Sequence, residues 1–125
     1  MDKIYQYKAY VLKVVDGDTI DLEIDLGFNI RVRERVRLLG IDTPETYGVR
    51  HDSDQYRAGI IAKQFVESKL IPIGTNDYVI IETEKDKKGK YGRYLARIWY
   101  CDDLAQHLWR CINDVLLEEG LARKY

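Results

Sequence analysis

The chain has 125 residues, of which 46% are apolar and 33% are charged, and its net charge is only −1. This length predicts a single domain over residues 1–125, and the composition is that of a soluble globular protein. No apolar run approaches the roughly 18 residues that a membrane-spanning helix needs. Global charge gives no argument for a nucleic-acid ligand, because domains that bind nucleic acid electrostatically carry a basic surface.

The N-terminal residues lack a basic stretch followed by an apolar core, so no signal peptide is visible. We expect a cytoplasmic protein if Met1 is the native start, and a secreted one if a leader was removed before this numbering. Cys101 and Cys111 are too few for a disulfide scaffold and lack metal-binding spacing, so we expect reduced, partly buried thiols. A short-range bridge between them is the alternative. The expected assembly is a monomer with no membrane contact.

Three strands are predicted in the first third of the chain. Residues 5–15 are rich in Tyr, Val and Leu, and residues 20–26 and 30–38 alternate apolar with charged side chains, which is typical of half-buried strands. Glu34 falls on the apolar side of the third strand, whereas Leu39 and Ile41 fall on its arginine side. This mismatch predicts a bulge or a curved strand.

A helix follows, capped by Ser53 or Asp54 and ending near Leu70, with a buried stripe that includes Ile61. The remaining predicted elements are strands and a second helix: residues 78–83, 94–100, 108–111 and, for the helix, 113–119. Gly120 ends that helix, and residues 121–125 are expected to trail off.

About five short antiparallel strands with a helix after the third and another at the end exclude an alternating βαβ sheet. They predict an α+β fold that is mainly β, a five-stranded barrel of the oligonucleotide-binding (OB) type.

Two acidic turns bracket the second and third strands. Because strands of a hairpin are neighbours, Asp18 before the second strand and Asp42 after the third are expected to lie close together. Two such carboxylates repel each other unless a cation lies between them, and oxygen ligands favour a hard ion such as Ca²⁺ or Mg²⁺. The carbonyl of Thr43 offers a neutral third oxygen. The alternative for either aspartate is a plain turn residue that caps backbone N–H groups.

Three further residues complete a candidate catalytic set. Glu45 lies three positions after Asp42 and, near a metal, could accept a proton from an attacking water. Arg37 and Arg93 come from different hairpins, and planar guanidinium groups bind phosphate oxygens in pairs. The alternatives are a loop glutamate and two surface arginines. Two basic clusters could likewise either bind phosphates or simply be solvent-exposed polar surface, which is the ordinary explanation for a run of charges. They are Arg31, Arg33, Arg35 and Arg37 on one strand, and Lys85, Lys87, Lys88 and Lys90 in one loop.

Four segments, residues 15–19, 37–45, 90–96 and 112–122, resemble the staphylococcal nuclease, or thermonuclease, family in the same order along the chain. The resemblance implies an OB-type barrel with about three helices. It also implies hydrolysis of DNA and RNA at the P–O5′ bond, leaving 3′-phosphate ends.

The resemblance assigns roles to the candidate residues. It implies Ca²⁺ as cofactor, held by Asp18, Asp42 and the Thr43 carbonyl, with Asp16 supporting these ligands. It implies that Arg37 and Arg93 bind the scissile phosphate and that Glu45 is the general base. It further implies that Lys90, Tyr91 and Tyr125 contact the substrate.

The chain also departs from the family. It is nearly neutral where the best-known members are basic, and residues 101–110 have no counterpart and are expected to form a hairpin insertion. We therefore expect a Ca²⁺-dependent, sugar-nonspecific nuclease acting on single-stranded or frayed nucleic acid. The alternatives are a non-catalytic module that binds nucleic acid or protein, and a calcium-stabilised structural module.

Overall fold

The computed structural model describes residues 4–71, 78–88, 94–103 and 108–125. These residues form eight strands: β1 (Ile4–Asp16), β2 (Thr19–Asp25), β3 (Arg31–Leu38), β4 (Ile41–Asp42), β5 (Val79–Lys88), β6 (Tyr94–Asp103), β7 (Leu108–Cys111) and β8 (Arg123–Lys124). The two helices in this part of the chain are α1 (Asp54–Leu70) and α2 (Ile112–Glu118). About three helices were expected.

Five strands close into a barrel. Strand β1 pairs with both β2 and β5, β3 pairs with β2, and β6 pairs with β5. The barrel closes where β3 runs parallel to β6, from Val36 opposite Tyr94 to Leu38 opposite Ala96. This arrangement confirms the predicted fold class. Strand β7 pairs antiparallel with β6 and extends the sheet within the hairpin expected over residues 101–110, of which residues 104–107 lie outside the described residues.

The β2–β3 pairing contains no bulge, so the bulge, one of the two explanations offered for the mismatch, was wrong. Residues 19–25 pair with residues 31–37 in an unbroken antiparallel register. The change in side-chain direction occurs instead at Gly40, whose φ of 80° turns the chain out of β3, so that Ile41 begins a separate strand and is buried. Register irregularities do occur in the neighbouring β1–β2 pairing, where the extra residues belong to β1. Glu34 is exposed despite its apolar neighbours.

The barrel interior holds alternating side chains of its five strands, which are fully buried in the case of Ile20, Leu22, Val36, Leu38, Ile81, Ala96 and Ile98. Ser53 caps the N-terminus of helix α1, and its hydroxyl accepts a hydrogen bond from the Tyr56 N–H at 3.1 Å. Its buried residues are Gly59, Ala62, Val66 and Leu70. Ile61, predicted on this stripe, is exposed because it is one helical step of about 100° from Ala62.

Asn113 fastens α2 to the barrel. Its side chain is buried, its Oδ1 accepts from the Ile98 N–H at 3.2 Å, and its Nδ2 donates to the carbonyls of Leu39 at 2.9 Å and Ala96 at 3.2 Å. A buried amide whose partners are all present avoids a penalty of about 1–3 kcal/mol for each unsatisfied group. The end of β3, where the chain turns toward β4, is therefore held by the start of α2.

The C-terminal residues do not trail off, and that prediction was wrong. Strand β8 pairs antiparallel with β4, with Ile41 opposite Lys124 and Asp42 opposite Arg123. The Tyr125 N–H donates to the Gly40 carbonyl at 3.1 Å. Two-residue strands carry no alternation pattern, which is why the sequence gives no sign of this pairing. Residues 121–125 are hereafter called the C-terminal strap.

Cys101 and Cys111 are free thiols on neighbouring strands, and the alternative of a bridge between them was wrong. The register places Trp109 opposite Cys101 and Trp99 opposite Cys111, so the two cysteines are not directly paired. Neither helix in the described ranges has the length and apolar character required to cross a bilayer.

Candidate active site

Asp18 and Asp42 meet at the end of the barrel where the β1–β2 turn, the end of β3 and β4 come together. Both carboxylates contact the same nitrogen of Arg37: Nη2 lies 3.5 Å from Asp18 Oδ2 and 3.1 Å from Asp42 Oδ1. The structure therefore brings the two predicted metal-ligand carboxylates together, with a guanidinium in contact with both.

The Asp18 side chain is held in a fixed orientation. It is only 6% exposed, its Oδ2 accepts from the Thr43 N–H at 3.2 Å, and its Oδ1 accepts from the Thr19 hydroxyl at 3.1 Å. Its backbone carbonyl accepts from the Leu38 N–H at 2.9 Å, which ties the turn to the end of β3. A carboxylate so placed in the turn serves both as a cap of the backbone and as a member of the acidic cluster.

Thr43 supplies a test of whether a cation suits this cluster. Its side chain is buried, and Oγ1 has no hydrogen-bond partner among the described residues. Gly17 lies against it, since a Cβ at Gly17 would lie 2.9 Å from Thr43 Oγ1. The described residues contain no group of three or more His, Cys, Asp or Glu side chains arranged to hold a metal ion.

The donor set is made of oxygen alone: the carboxylates of Asp18 and Asp42 and the oxygens of Thr43. Oxygen ligands suit a hard cation, whose remaining positions are commonly filled by main-chain carbonyls and water. The residues present thus fit Ca²⁺ or Mg²⁺ in chemistry, and an unsatisfied buried oxygen lies in the same loop.

Glu45 lies close enough to the aspartates to sense their charge. Partial burial raises the pKa of Glu45 above its ordinary value, and the negative charges of Asp18, Asp16 and Asp42 raise it further, whereas Arg37 opposes the shift. A carboxylate with a raised pKa accepts a proton more readily than an ordinary one. Glu45 therefore lies beside the aspartate cluster with a carboxylate whose pKa is raised.

Asp16 ties the loop that carries Glu45 to the β1–β2 turn. The Thr46 hydroxyl donates a hydrogen bond to Asp16 Oδ1. Sequence reasoning missed Thr46, because a threonine after Asp-Thr-Pro-Glu is unremarkable in a loop.

Gly59 lets α1 approach the same loop. A Cβ at this position would lie 2.7 Å from the Pro44 carbonyl oxygen, 3.1 Å from that of Glu45 and 2.6 Å from Thr46 Cγ2. Real Cβ atoms are essentially never found closer than 3.0 Å to another heavy atom, so a side chain here could be accommodated only if the Pro44 carbonyl moved. Helix α1 therefore packs directly against residues 44–46.

The C-terminal strap adds two residues to the site. Arg123 contacts Asp42 Oδ2 through Nη2 at 3.2 Å and Nε at 3.4 Å. The Tyr125 ring stacks on Arg37, whose Cζ lies 4.6 Å from the ring centroid. Tyr125 was expected to bind substrate. Arg123 was missed, and its only sequence signal was its place directly after a segment that resembles the family.

An open cleft of about 580 Å³ adjoins these groups. It is lined by the end of β4 and the loop after it, the start of α1, Gly120 and the strap: Asp42, Thr43, Pro44, Glu45, Gln55, Gly120, Leu121, Ala122 and Arg123. A volume of this size accommodates a small ligand or a short segment of a larger one.

Three predicted residues, Lys90, Tyr91 and Arg93, fall outside the described residues. The strand that follows them, β6, begins with Tyr94 opposite Val36, the residue before Arg37. The structure therefore neither places these three side chains in the site nor removes them from it.

Two other arginines of β3, Arg35 and Arg31, form ion pairs with carboxylates of β2. Arg35 Nε lies 2.7 Å from Asp21 Oδ1, and Arg31 Nη1 lies 3.8 Å from Glu23 Oε1, in both cases across to β2. The solvent-facing interpretation of the arginine row is correct for these two residues, and Arg37 differs from them.

Known proteins resemble this chain over most of its length. The model of the staphylococcal nuclease homologue family matches residues 35–125. The thermonuclease of Staphylococcus intermedius is 39% identical over 117 residues, which are 93% of this chain and 59% of that protein. The thermonuclease of Staphylococcus hyicus is 34% identical over 113 residues, 90% of this chain and 56% of that protein. Endonuclease YhcR of Bacillus subtilis is 33% identical over 97 residues, 74% of this chain and 7% of that protein.

The closed five-stranded barrel, with carboxylates and an arginine together at one end, defines an OB-type barrel protein with an oxygen-rich polar site. Since the family model covers well over half of the chain, the chain belongs to the staphylococcal nuclease homologue family. This confirms the family identification made from the motifs. The chain spans little more than half the length of the two staphylococcal thermonucleases.

Proposed function

We propose that the protein is a metal-dependent nuclease that hydrolyses phosphodiester bonds in single-stranded or frayed DNA and RNA, with Ca²⁺ as its cofactor. The observation that carries this proposal is the contact of Arg37 with both Asp18 and Asp42, next to Glu45 and at the edge of an open cleft. Membership of the staphylococcal nuclease homologue family supports the same activity.

The cation would be held by Asp18, Asp42 and Thr43, and when bound it would supply positive charge to a phosphate oxygen. Asp16 would support these ligands through its hydrogen bond with Thr46. Burial raises the pKa of Glu45 most and the nearby carboxylates raise it further, and a cation shared by the two aspartates would relieve the second effect.

Arg37 would bind the phosphate. Its contacts with the aspartates use Nη2 alone, and Nε and Nη1 have no partner within the described residues. Because a guanidinium carries five N–H donors, donors on these two nitrogens are left for a phosphate. Arg93 would provide the second guanidinium. Together they would stabilise the negative charge that develops on the phosphate in the transition state, when both the attacking and the leaving oxygen are bonded to phosphorus.

Glu45 would accept the proton of the attacking water. Its raised pKa suits this role, and the loop that carries it is fixed on one side by Asp16 and on the other by Gly59. The bond broken would be P–O5′, so that the products carry 3′-phosphate ends. Lys90, Tyr91 and Tyr125 would contact the nucleic acid beyond the scissile phosphate.

The test is direct. Purified protein is incubated with labelled single-stranded DNA and RNA oligonucleotides, with Ca²⁺ or with a chelator, and product ends are identified by their sensitivity to phosphatase. We expect cleavage of both nucleic acids with Ca²⁺ only, 3′-phosphate products, and loss of cleavage in the Glu45→Gln and Arg93→Ala variants. Absence of cleavage with Ca²⁺ would favour the non-catalytic binding module, and undiminished cleavage in chelator would refute metal dependence.

A further inference from the structure

Arg123 is bound to a carboxylate that the proposed function requires for a metal. Both Nη2 and Nε of Arg123 contact one oxygen, Asp42 Oδ2, while Arg37 contacts the other, Oδ1. Each oxygen of Asp42 thus already has a guanidinium partner. A cation that binds this carboxylate must compete with at least one of them.

The two arginines are not equally easy to displace. The side chain of Arg37 is 15% exposed and is covered by the Tyr125 ring, whereas that of Arg123 is 82% exposed. Exposed ion pairs contribute little because water competes for both partners and screens their charges. Arg123 is therefore the partner that a cation can replace at small cost.

The backbone of Arg123 would remain in place after such an exchange. Arg123 pairs with Asp42 in the β4–β8 ladder, and the Tyr125 N–H holds the strap to the Gly40 carbonyl. The residue also lines the cleft together with Glu45. A displaced guanidinium would thus stay at the cleft, where its planar group can bind two phosphate oxygens.

We propose that Arg123 is a displaceable counter-ion of Asp42: it neutralises that carboxylate in the metal-free protein, yields it to the cation, and then binds a phosphate of the nucleic acid in the adjoining cleft. This inference rests on the proposed function. It makes Arg123 a third phosphate-binding arginine of the site and couples metal binding to substrate binding.

The first measurement is the affinity of metal-free protein for Ca²⁺ by isothermal titration calorimetry. Removal of a competing cation should tighten binding, so we expect Arg123→Ala to lower the Kd for Ca²⁺ about two- to fivefold, as the loss of an exposed ion pair implies. Lys124→Ala is the matched control, because it removes the same charge from the next position of β8 and should change the Kd by less than about 1.5-fold. A residue that merely held Asp42 in place would give the opposite result, weaker binding in Arg123→Ala.

The second measurement is the binding of a short single-stranded DNA by fluorescence anisotropy at saturating Ca²⁺, in a Glu45→Gln background that prevents cleavage. We expect Arg123→Ala to weaken binding about tenfold, the loss of a charge-assisted phosphate contact, and Lys124→Ala to weaken it by less than about twofold. Circular dichroism checks that each variant is folded.

The outcomes separate the two proposals. Wild-type protein that neither binds Ca²⁺ nor cleaves nucleic acid would refute the proposed function itself. If wild-type protein binds Ca²⁺ and cleaves nucleic acid, but the Kd of Arg123→Ala for Ca²⁺ is unchanged or higher, only the counter-ion role is overturned. Tighter Ca²⁺ binding with unchanged DNA binding would overturn the transfer of Arg123 to the phosphate.

Discussion

Arg35 and Arg37 stand two positions apart on β3 and reach carboxylates in two different surroundings. On the outer face of the sheet, Arg35 makes the shorter contact, 2.7 Å to Asp21, with a side chain that is 52% exposed. At the site end, Arg37 makes looser contacts, 3.1 Å to Asp42 and 3.5 Å to Asp18, with a side chain that is 15% exposed. The two arginines therefore differ in solvent exposure more than in contact length. Water screens the Arg35–Asp21 pair, whereas it is largely excluded from the contacts of Arg37 with the aspartates.

The largest difference is expected in turnover. Arg37→Ala should lower the rate of cleavage by about 10²–10³-fold, since it removes a donor to charge that develops in the transition state. Arg35→Ala, the matched control on the same strand, should stay within about twofold of wild type. The measurement is single-turnover cleavage of a short labelled oligonucleotide at saturating enzyme.

The same assay tests the alternative. Near-normal rates for a folded Arg37→Ala protein would place Arg37 with the sheet-face arginines and favour a binding module over an enzyme. Equal losses for Arg35→Ala and Arg37→Ala would show that the arginine row acts as a whole.

A second contrast concerns the aspartates that these arginines meet. At a Ca²⁺ concentration of about 100 times Kd, ligand binding raises the free energy of unfolding of wild type by about 2.7 kcal/mol. We expect Asp42→Asn to abolish this gain and Asp21→Asn to retain it. Chemical denaturation with Ca²⁺ and with chelator measures both. A full gain in Asp42→Asn would exclude Asp42 as a ligand, and a gain missing in wild type would exclude Ca²⁺.

Packing at the site end gives a third prediction. Gly59→Ala forces a Cβ against the Pro44 carbonyl, so it should destabilise the protein by about 1–3 kcal/mol and displace the loop that carries Glu45. Turnover should therefore fall in the folded variant as well. Gln64→Ala, on the exposed side of the same helix, should leave both quantities nearly unchanged. Unaltered stability in Gly59→Ala would show that the loop can move away without cost.

The smallest effect is expected from the exposed pair, and it depends on pH. The hydrogen bond from Arg35 lowers the pKa of Asp21, with a further contribution from the charge of Arg35, while burial opposes the shift. A lowered pKa stabilises the folded protein above the ordinary pKa of Asp, near 4, and this stabilisation is lost as the pH falls through the folded-state value.

The difference in unfolding free energy between wild type and Arg35→Ala should accordingly be below about 1 kcal/mol at pH 7 and vanish once the pH is below the folded-state pKa of Asp21. Urea denaturation at several pH values measures it. A difference that grows on acidification would contradict the assigned cause of the shift.

Local sequence pattern was enough to predict the elements that make regular contacts with near neighbours. The alternation of residues 20–26 gave β2, and Ser53 gave the start of α1, because periodicity and capping are properties of short segments. The turn positions of Asp18 and Asp42 were enough to predict that their carboxylates would meet.

What the sequence could not predict depends on contacts between distant positions. Arg123 reaches Asp42 across 81 positions through a two-residue strand, and Gly59 matters only because residues 44–46 lie against it. Neither contact leaves a local pattern. The unbroken β2–β3 register was also left open, because the mismatch at Glu34, Leu39 and Ile41 was attributed to a bulge or a curved, covered strand and not to the turn at Gly40.

The pairing of β8 with β4 has a consequence for the order in which the molecule assembles. Arg123 and Asp42 are 81 positions apart, and Asn113 and Leu39 are 74 apart, so both contacts close long loops and follow the local hairpins in time. On the ribosome, β1, β2 and β3 emerge well before either Asn113 or the strap. The β1–β2–β3 segment, with Asp18 and Arg37, therefore leaves the ribosome before β5 and β6, which close the barrel, and before Asn113 and Arg123, whose contacts complete the site.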